Sequence, residues 1–244
     1  MNTQAKIDEL FEVRGLTYFI ERMFPDVDER AQFRVLACQL QKAIYALDCY
    51  GEITWDTSDN IITELMMCVR NAICDFGVAE SAAGDLMSEI ETYAKVELQI
   101  RRGIDVDMVP LSTFYRLKSC DVRLIRKLAS NGGGGNLYAT EALWADFDLV
   151  TEVIDDLEDA IEDVGTFNGN RWLSVIRRNG IQNARREYAV ELTEVRNRFV
   201  RQLDRITMDS EMAVFLEKEF ELKLREVMFL IGIPQLVTKL SHAC

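Results

Sequence analysis

Residues 148–163 read DLVTEVIDDLEDAIED. On a helix that turns about 100° per residue, the six carboxylates of one row fall within an arc of about 100°, opposite a row of apolar side chains. The stretch therefore predicts an amphipathic helix with one acidic face. That face consists of Asp148, Glu152, Asp155, Asp156, Asp159 and Asp163, and the apolar side consists of Val150, Val153, Ile154, Leu157, Ala160, Ile161 and Val164.

The acidic face has no basic residue near it in the sequence. Between Lys127 and Arg171 the chain contains no Lys, Arg or His. Because like charges at i,i+4 destabilise a helix by about 0.2–0.5 kcal/mol per pair, we expect something outside the helix to offset them. Hard divalent cations such as Mg²⁺ take oxygen ligands and share their coordination shell with substrate phosphates. The alternative interpretation is an acidic face that is merely solvated.

The composition indicates a helical fold. A chain of 244 residues with 48% hydrophobic residues is long enough to bury a sizeable core. Only 3 prolines and few alternating apolar runs favour helices over strands. We find no internal repeat and no linker between domains, so we predict an all-α fold with a single helical domain over residues 1–244.

The charge and the rare residue types exclude several function classes. A net charge of −13 argues against a nucleic-acid binder or an anionic-membrane binder. No run approaches the length of a membrane span, and the amino terminus lacks the apolar core of a signal peptide. The 6 cysteines show no CxxC pairing, which favours reduced thiols and a cytoplasmic location. With His242 as the only histidine, a histidine-based triad or zinc site is not expected.

Two motifs in a fixed order link the chain to a known superfamily. Lys118-Ser119 stands in the pattern TFYRLKSCDVRLIRKL, and the sequence DDLED at residues 155–159 follows on a later helix. In this the chain resembles the class I isoprenoid synthase superfamily, the all-helical fold of trans-prenyltransferases and class I terpene cyclases. The stretch DDLEDAIEDVGTFNGNRWL is also similar to small bacterial proteins described only as class I isoprenoid biosynthesis enzymes. The resemblance covers roughly residues 85–175 and implies a helical bundle with a central cavity.

The resemblance also implies an activity and its site residues. The expected function is that of a Mg²⁺-dependent terpene synthase, which ionises a linear prenyl diphosphate of the C10 to C20 class to a hydrocarbon or alcohol plus pyrophosphate. Two or three Mg²⁺ ions would bind with the diphosphate. The implied catalytic and metal-binding residues are Asp155, Asp156 and Asp159, with Asp163 as a further ligand, and the implied diphosphate-binding residues are Lys118, Arg123, Arg171, Asn168 and Asn170. The structural alternative for the two arginines is an ion pair with the acidic face.

The second metal-binding motif of the superfamily is not recognisable in this sequence. Its nearest counterpart is ALDCYGE at residues 46–52, where Asp48 and Glu52 are implied metal ligands one turn apart. Because elongation needs two well-formed sites, this favours a cyclase over a trans-prenyltransferase that condenses an allylic diphosphate with isopentenyl diphosphate. A catalytically inactive helical partner subunit is the third hypothesis. Members of the superfamily often form homodimers, which is an expectation for this chain too.

Overall fold

The computed structural model describes residues 3–54, 60–101, 109–133, 140–164, 169–205 and 210–232. Within these ranges the chain forms helices and no strand, which confirms the all-α prediction. The helices are α1 (Thr3–Val13), α2 (Leu16–Met23), α3 (Val27–Thr54), α4 (Asn60–Cys74), α5 (Glu80–Arg101), α6 (Leu111–Lys118), α7 (Cys120–Gly133), α8 (Glu141–Glu158), α9 (Ala160–Asp163), α10 (Arg171–Asn179), α11 (Ile181–Leu203) and α12 (Ser210–Gly232).

The chain divides into two compact units. The first comprises Met1–Arg102 with Cys120–Leu137, and the second comprises Gly103–Ser119 with Tyr138–Cys244. Helices α1 to α5 and α7 belong to the first unit, and α6 and α8 to α12 belong to the second. The single domain over residues 1–244 and its isoprenoid synthase type stay predictions.

In the first unit, the long helix α3 packs against α1, α2, α4, α5 and α7. Apolar spacing over residues 3–24 predicts one continuous helix, but the structure breaks it into α1 and α2 at Gly15. Gly15 has a φ of 62°, a left-handed conformation that glycine adopts without steric cost. The break turns α2 so that it packs on both α1 and α7.

In the second unit, α8 is the central helix, and α6, α10, α11 and α12 pack against it. Its side chains are buried almost all round, as expected for a helix at the centre of a core. The apolar row predicted from the sequence lies inside as far as Ala160, whereas Ile161 is 45% exposed. The helix pattern is interrupted at Asp159, between α8 and α9.

A second interruption in this unit follows a local signal. The dipeptide Asn179-Gly180 predicts a break in the helical pattern, and Gly180 separates α10 from α11 with a φ of 74°. None of the helices in the described part of the chain combines the length and apolar character needed to cross a membrane.

Candidate functional site

Half of the predicted acidic face is buried. Asp148, Glu152 and Asp156 of α8 are at most 4% exposed, and so is Asp146 on the same helix. Charged side chains are rarely buried without partners, because removing a charge from water costs several kcal/mol unless hydrogen bonds or an opposite charge compensate it. This part of the face is therefore not merely solvated, and the partners of these carboxylates define the site.

Asp156 is bound through both of its carboxylate oxygens. Lys118 Nζ donates a hydrogen bond of 2.5 Å to Oδ1. Oδ2 accepts hydrogen bonds from the Tyr115 hydroxyl at 2.8 Å and from the Arg171 backbone N–H at 2.9 Å. Asn170 completes the group, since its side-chain amide donates to the Asp156 backbone carbonyl at 2.7 Å. We call Tyr115, Lys118, Asp156, Asn170 and Arg171 the Asp156 cluster.

Helix α10 begins beside Asp156. Asn170 is its N-cap, with the side-chain oxygen accepting a hydrogen bond from the Leu173 N–H at 3.1 Å. Arg171 is the first residue of the helix, and its N–H points at Asp156 Oδ2. A carboxylate at this end of a helix is stabilised by the unpaired N–H groups and by the positive end of the helix dipole. The backbone therefore contributes to holding the negative charge of Asp156.

Lys118 supplies the main compensating charge. Its side chain is 23% exposed, and its Nζ also lies 3.6 Å from Glu152 Oε2. Burial lowers the pKa of Lys118, but the negative charges of Asp156 and Glu152 outweigh it and raise that pKa above its usual value. The ammonium group thus stays charged between two buried carboxylates.

Two buried tyrosines extend the Asp156 cluster. The hydroxyls of Tyr115 and Tyr188 lie 3.0 Å apart, and Tyr188 is on α11. Burial and the negative charge of Asp156 raise the pKa of Tyr115 well above its usual value. Burial also raises the pKa of Tyr188, although the guanidinium of Arg171, 5.9 Å from its ring centre, acts in the opposite direction. Both phenols are therefore held in the neutral form and act as hydrogen-bond donors.

The remaining aspartates of the acidic face form a second row, which we call the outer aspartates: Asp155, Asp159 and Asp163. Asp159 is exposed and the other two are half-buried. Backbone hydrogen bonds from Asp159 to Asp155 and from Asp163 to Asp159 continue across the junction of α8 and α9, so the three stay at i,i+4 spacing. Partial desolvation of its carboxyl group, together with the charges of Asp163 and Asp155, raises the pKa of Asp159. Asp163 Oδ2 accepts a hydrogen bond of 2.9 Å from Asn170.

The structure brings Lys118, Asn170 and Arg171 to the acidic helix, where Lys118 and the Arg171 N–H bind Asp156 and Asn170 binds Asp163. Lys118 also pairs with Glu152, and the Arg171 side chain lies 3.9 Å from Glu187. Their role in diphosphate binding stays a prediction.

Other predicted site residues lie elsewhere or cannot be described. Arg123 belongs to the first unit, where its guanidinium forms an ion pair with Glu89. Asp48 is an exposed residue of α3, also in the first unit. Asn168 lies outside the described residues, as does the side chain of Glu52. The roles of these four residues in metal or diphosphate binding stay predictions.

Sequence reasoning missed the hydroxyl of Tyr115, all of Tyr188 and the ion pair between the buried Asp146 and Arg198. The spacing of Tyr115 and Lys118, i and i+3 on one helix, was a usable signal for a shared face. Tyr188 is 73 positions from Tyr115, so no local pattern indicates their contact. Arg198 contacts Asp146 with two nitrogens, at 2.5 and 3.0 Å, across 52 positions.

Three large aromatic side chains of the second unit lie in its core. Phe114, Trp144 and Phe147 are at most 1% exposed. Trp144 and Phe147 meet edge to face with ring centres 5.5 Å apart.

In the described part of the chain, no three or more His, Cys, Asp or Glu side chains are grouped closely enough to hold a metal ion by themselves. The three outer aspartates are thus an oxygen donor set that is not gathered into a closed site. No protein-family model, curated protein or solved structure matches this chain.

Proposed function

We propose that the chain is a Mg²⁺-dependent class I terpene synthase. The substrate is a linear prenyl diphosphate of the C10 to C20 class. Ionisation breaks its carbon–oxygen bond, and the bonding electron pair leaves with pyrophosphate. The resulting allylic cation loses a proton to give a hydrocarbon, or takes up water and then loses a proton to give an alcohol.

The observation that carries the proposal is the contact between Lys118 and Asp156. The resemblance rests on a Lys-Ser helix and an aspartate-rich helix, and these two motifs meet at 2.5 Å through a lysine ammonium and a motif carboxylate. Two motifs that are 38 positions apart would not be expected to contact each other if both were ordinary surface features. Their contact in one compact unit supports a shared site.

The outer aspartates fit a Mg²⁺ ion that arrives with a diphosphate. Mg²⁺ usually takes one or two protein carboxylates and completes its shell with waters and substrate phosphates, so a closed protein cage is not required. The raised pKa of Asp159, caused by burial and by neighbouring carboxylates, is relieved by a cation. When bound, Mg²⁺ would stabilise the negative charge of the leaving pyrophosphate.

The Asp156 cluster acts as the support of this site. Both oxygens of Asp156 accept hydrogen bonds from protein donors, so its role in the proposal is to hold α6, α8 and α10 together. Lys118 keeps its positive charge between Asp156 and Glu152, so in the proposal it offsets the charge of the acidic helix beside the diphosphate. Asn170 holds Asp163 through one oxygen and orients it.

Two alternatives remain from other classes. A trans-prenyltransferase would use the same aspartates but would release pyrophosphate only with isopentenyl diphosphate present. An inactive helical partner subunit is favoured by the complete internal pairing of Asp156, which resembles a structural ion pair. An inactive subunit would bind neither pyrophosphate nor Mg²⁺ at the acidic helix.

The test is an incubation of the purified protein with geranyl, farnesyl and geranylgeranyl diphosphates, with and without Mg²⁺ and isopentenyl diphosphate. Pyrophosphate release and extracted products are measured together. We expect Mg²⁺-dependent release that needs no isopentenyl diphosphate and yields a hydrocarbon or alcohol. The variants Asp155→Asn and Asp159→Asn should lose at least about a hundredfold in rate, the usual scale for removing one electrostatic group.

Glu162→Gln is the matched control, since Glu162 is an exposed acid on α9 outside the row of outer aspartates. It removes the same charge and should keep most of the rate. Release that depends on isopentenyl diphosphate would establish the transferase instead. Absence of turnover together with absence of Mg²⁺-linked pyrophosphate binding, in a folded sample, would refute both enzyme hypotheses for these substrates.

A further inference from the structure

A cavity of about 540 Å³ lies in the first unit, between the first half of α3 and the ends of α2, α4 and α7. Its base is aromatic and aliphatic: Phe24, Phe33 and Leu128 line it and are at most 7% exposed. Phe24 and Phe33 are stacked with ring centres 4.8 Å apart, and Phe33 and Phe76 are tilted at 5.2 Å. The cavity therefore offers aromatic surface to a ligand.

The rim of the cavity is acidic. Glu29 and Asp75 line it and are exposed carboxylates, and the described lining residues include no Lys, Arg or His. Arg30, which follows Glu29, is not a lining residue; its guanidinium donates to the backbone carbonyls of Phe24 and Pro25 at 3.2 Å each and lies 3.7 Å from Glu21. The two carboxylates thus line the cavity without a basic lining residue, which favours a cation there over an anion.

We propose that this cavity is a binding site for a small organic cation, an ammonium ion with an apolar body. The ammonium group is attracted by the faces of the rings and by the two carboxylates, while the apolar body covers the base. The same lining disfavours anionic ligands, so a prenyl diphosphate is not its occupant.

The cavity is separate from the proposed terpene synthase site in its residues. Every described residue that lines it belongs to the first unit, whereas the acidic helix and Lys118 belong to the second. Cation binding is measured without any prenyl diphosphate, so the two proposals are tested separately. Absence of cation binding would leave the proposed terpene synthase function intact, and absence of terpene synthase activity would leave the cation site intact.

The test is a ligand-observed NMR titration of the full chain with benzyltrimethylammonium, followed by a comparison of choline with 3,3-dimethylbutan-1-ol, its neutral isostere. We expect saturable binding of both cations and none of the alcohol at the same concentration. Glu29→Gln and Asp75→Asn should each weaken cation binding roughly fivefold, the effect of one charge at close range in water. Phe76→Leu should weaken it about two- to fivefold by removing one ring face.

The matched control is the double variant Glu9→Gln/Glu64→Gln. Both residues are exposed acids of the first unit that do not line the cavity. This control is compared with the double variant Glu29→Gln/Asp75→Asn, which changes the net charge by the same amount. We expect it to bind as the unmodified chain does. Equal binding of choline and the alcohol would overturn the proposal, and so would the absence of saturable cation binding. A loss of cation affinity in the control variant as large as in Glu29→Gln/Asp75→Asn would overturn it too.

Discussion

Replacing Lys118 by methionine should destabilise the protein strongly, because it leaves two buried carboxylates without their cation. Asp156 is 1% exposed at its side chain and Glu152 is 6% exposed, and Lys118 Nζ lies 2.5 and 3.6 Å from them. Removing one partner of a buried pair costs about 3–5 kcal/mol. Because Lys118 is itself 23% exposed, we expect the lower end, about 3 kcal/mol, in the free energy of unfolding.

A double-mutant cycle with Asp156→Asn isolates the contact. The single variant Asp156→Asn should cost about 1.5–3 kcal/mol, the value of hydrogen bonds to a charged group. Its amide oxygen still accepts from the Tyr115 hydroxyl and the Arg171 N–H. In the double variant both charges of the Lys118–Asp156 contact are gone, although Glu152 still lacks Lys118, so this variant should be about 2 kcal/mol more stable than the sum of the single losses predicts.

The assay is urea unfolding at pH 7 followed by circular dichroism, with linear extrapolation and comparison of the slopes. Lys127→Met is the matched control. Lys127 also contacts an acid, Glu89 at 3.2 Å, but its side chain is 33% exposed, and exposed pairs contribute about 0–1 kcal/mol. Single losses that add within about 0.5 kcal/mol would refute the reasoning, because additivity means that the contact contributes no free energy.

Three further predictions concern the same helices. Tyr115→Phe removes a donor to Asp156 Oδ2 and should cost about 1.5–3 kcal/mol in urea unfolding, the value of a hydrogen bond to a charged group. Asp159→Asn removes repulsion from two i,i+4 neighbours and should stabilise by about 0.4–1 kcal/mol at pH 7. Because folding raises the pKa of Asp159, its repulsion with the neighbouring aspartates appears as pH rises through that pKa. The stability gained by Asp159→Asn should therefore vanish in thermal unfolding below about pH 4. Folding also raises the pKa of Lys118 and Tyr115, so the stabilisation from each is complete below about pH 10 and is lost as pH rises further. Absorbance at 295 nm should show Tyr115 and Tyr188 ionising only on unfolding, and Tyr115→Phe should reduce that step by one tyrosine.

The helices and the special character of residues 148–163 follow from local patterns in the sequence. Apolar residues at helical spacing mark α8, and the absence of basic residues between Lys127 and Arg171 marks its acidic face. The interruption at Gly180 is equally local, since glycine alone adopts that backbone conformation without strain. Such features depend on neighbours within a turn or two, which one sequence displays directly.

Which carboxylates are buried depends on the packing of distant helices. A helical wheel puts Asp156 and Asp159 on one face, yet Asp156 is buried beneath α6 and α10 while Asp159 is exposed. The partners that neutralise Asp156 come from positions 38 and 15 residues away in the chain.

The contact of Tyr188 with Tyr115 and the ion pair of Arg123 with Glu89 also join residues that are far apart in the sequence. For that reason neither contact was predicted. A buried charge pairs with the opposite charge that lies nearest to it once the helices have packed. The periodicity of a sequence does not give that distance. Local order along the chain therefore predicts the helices and their acidic face, and the packing of helices decides which of those acids are buried among protein hydrogen-bond donors.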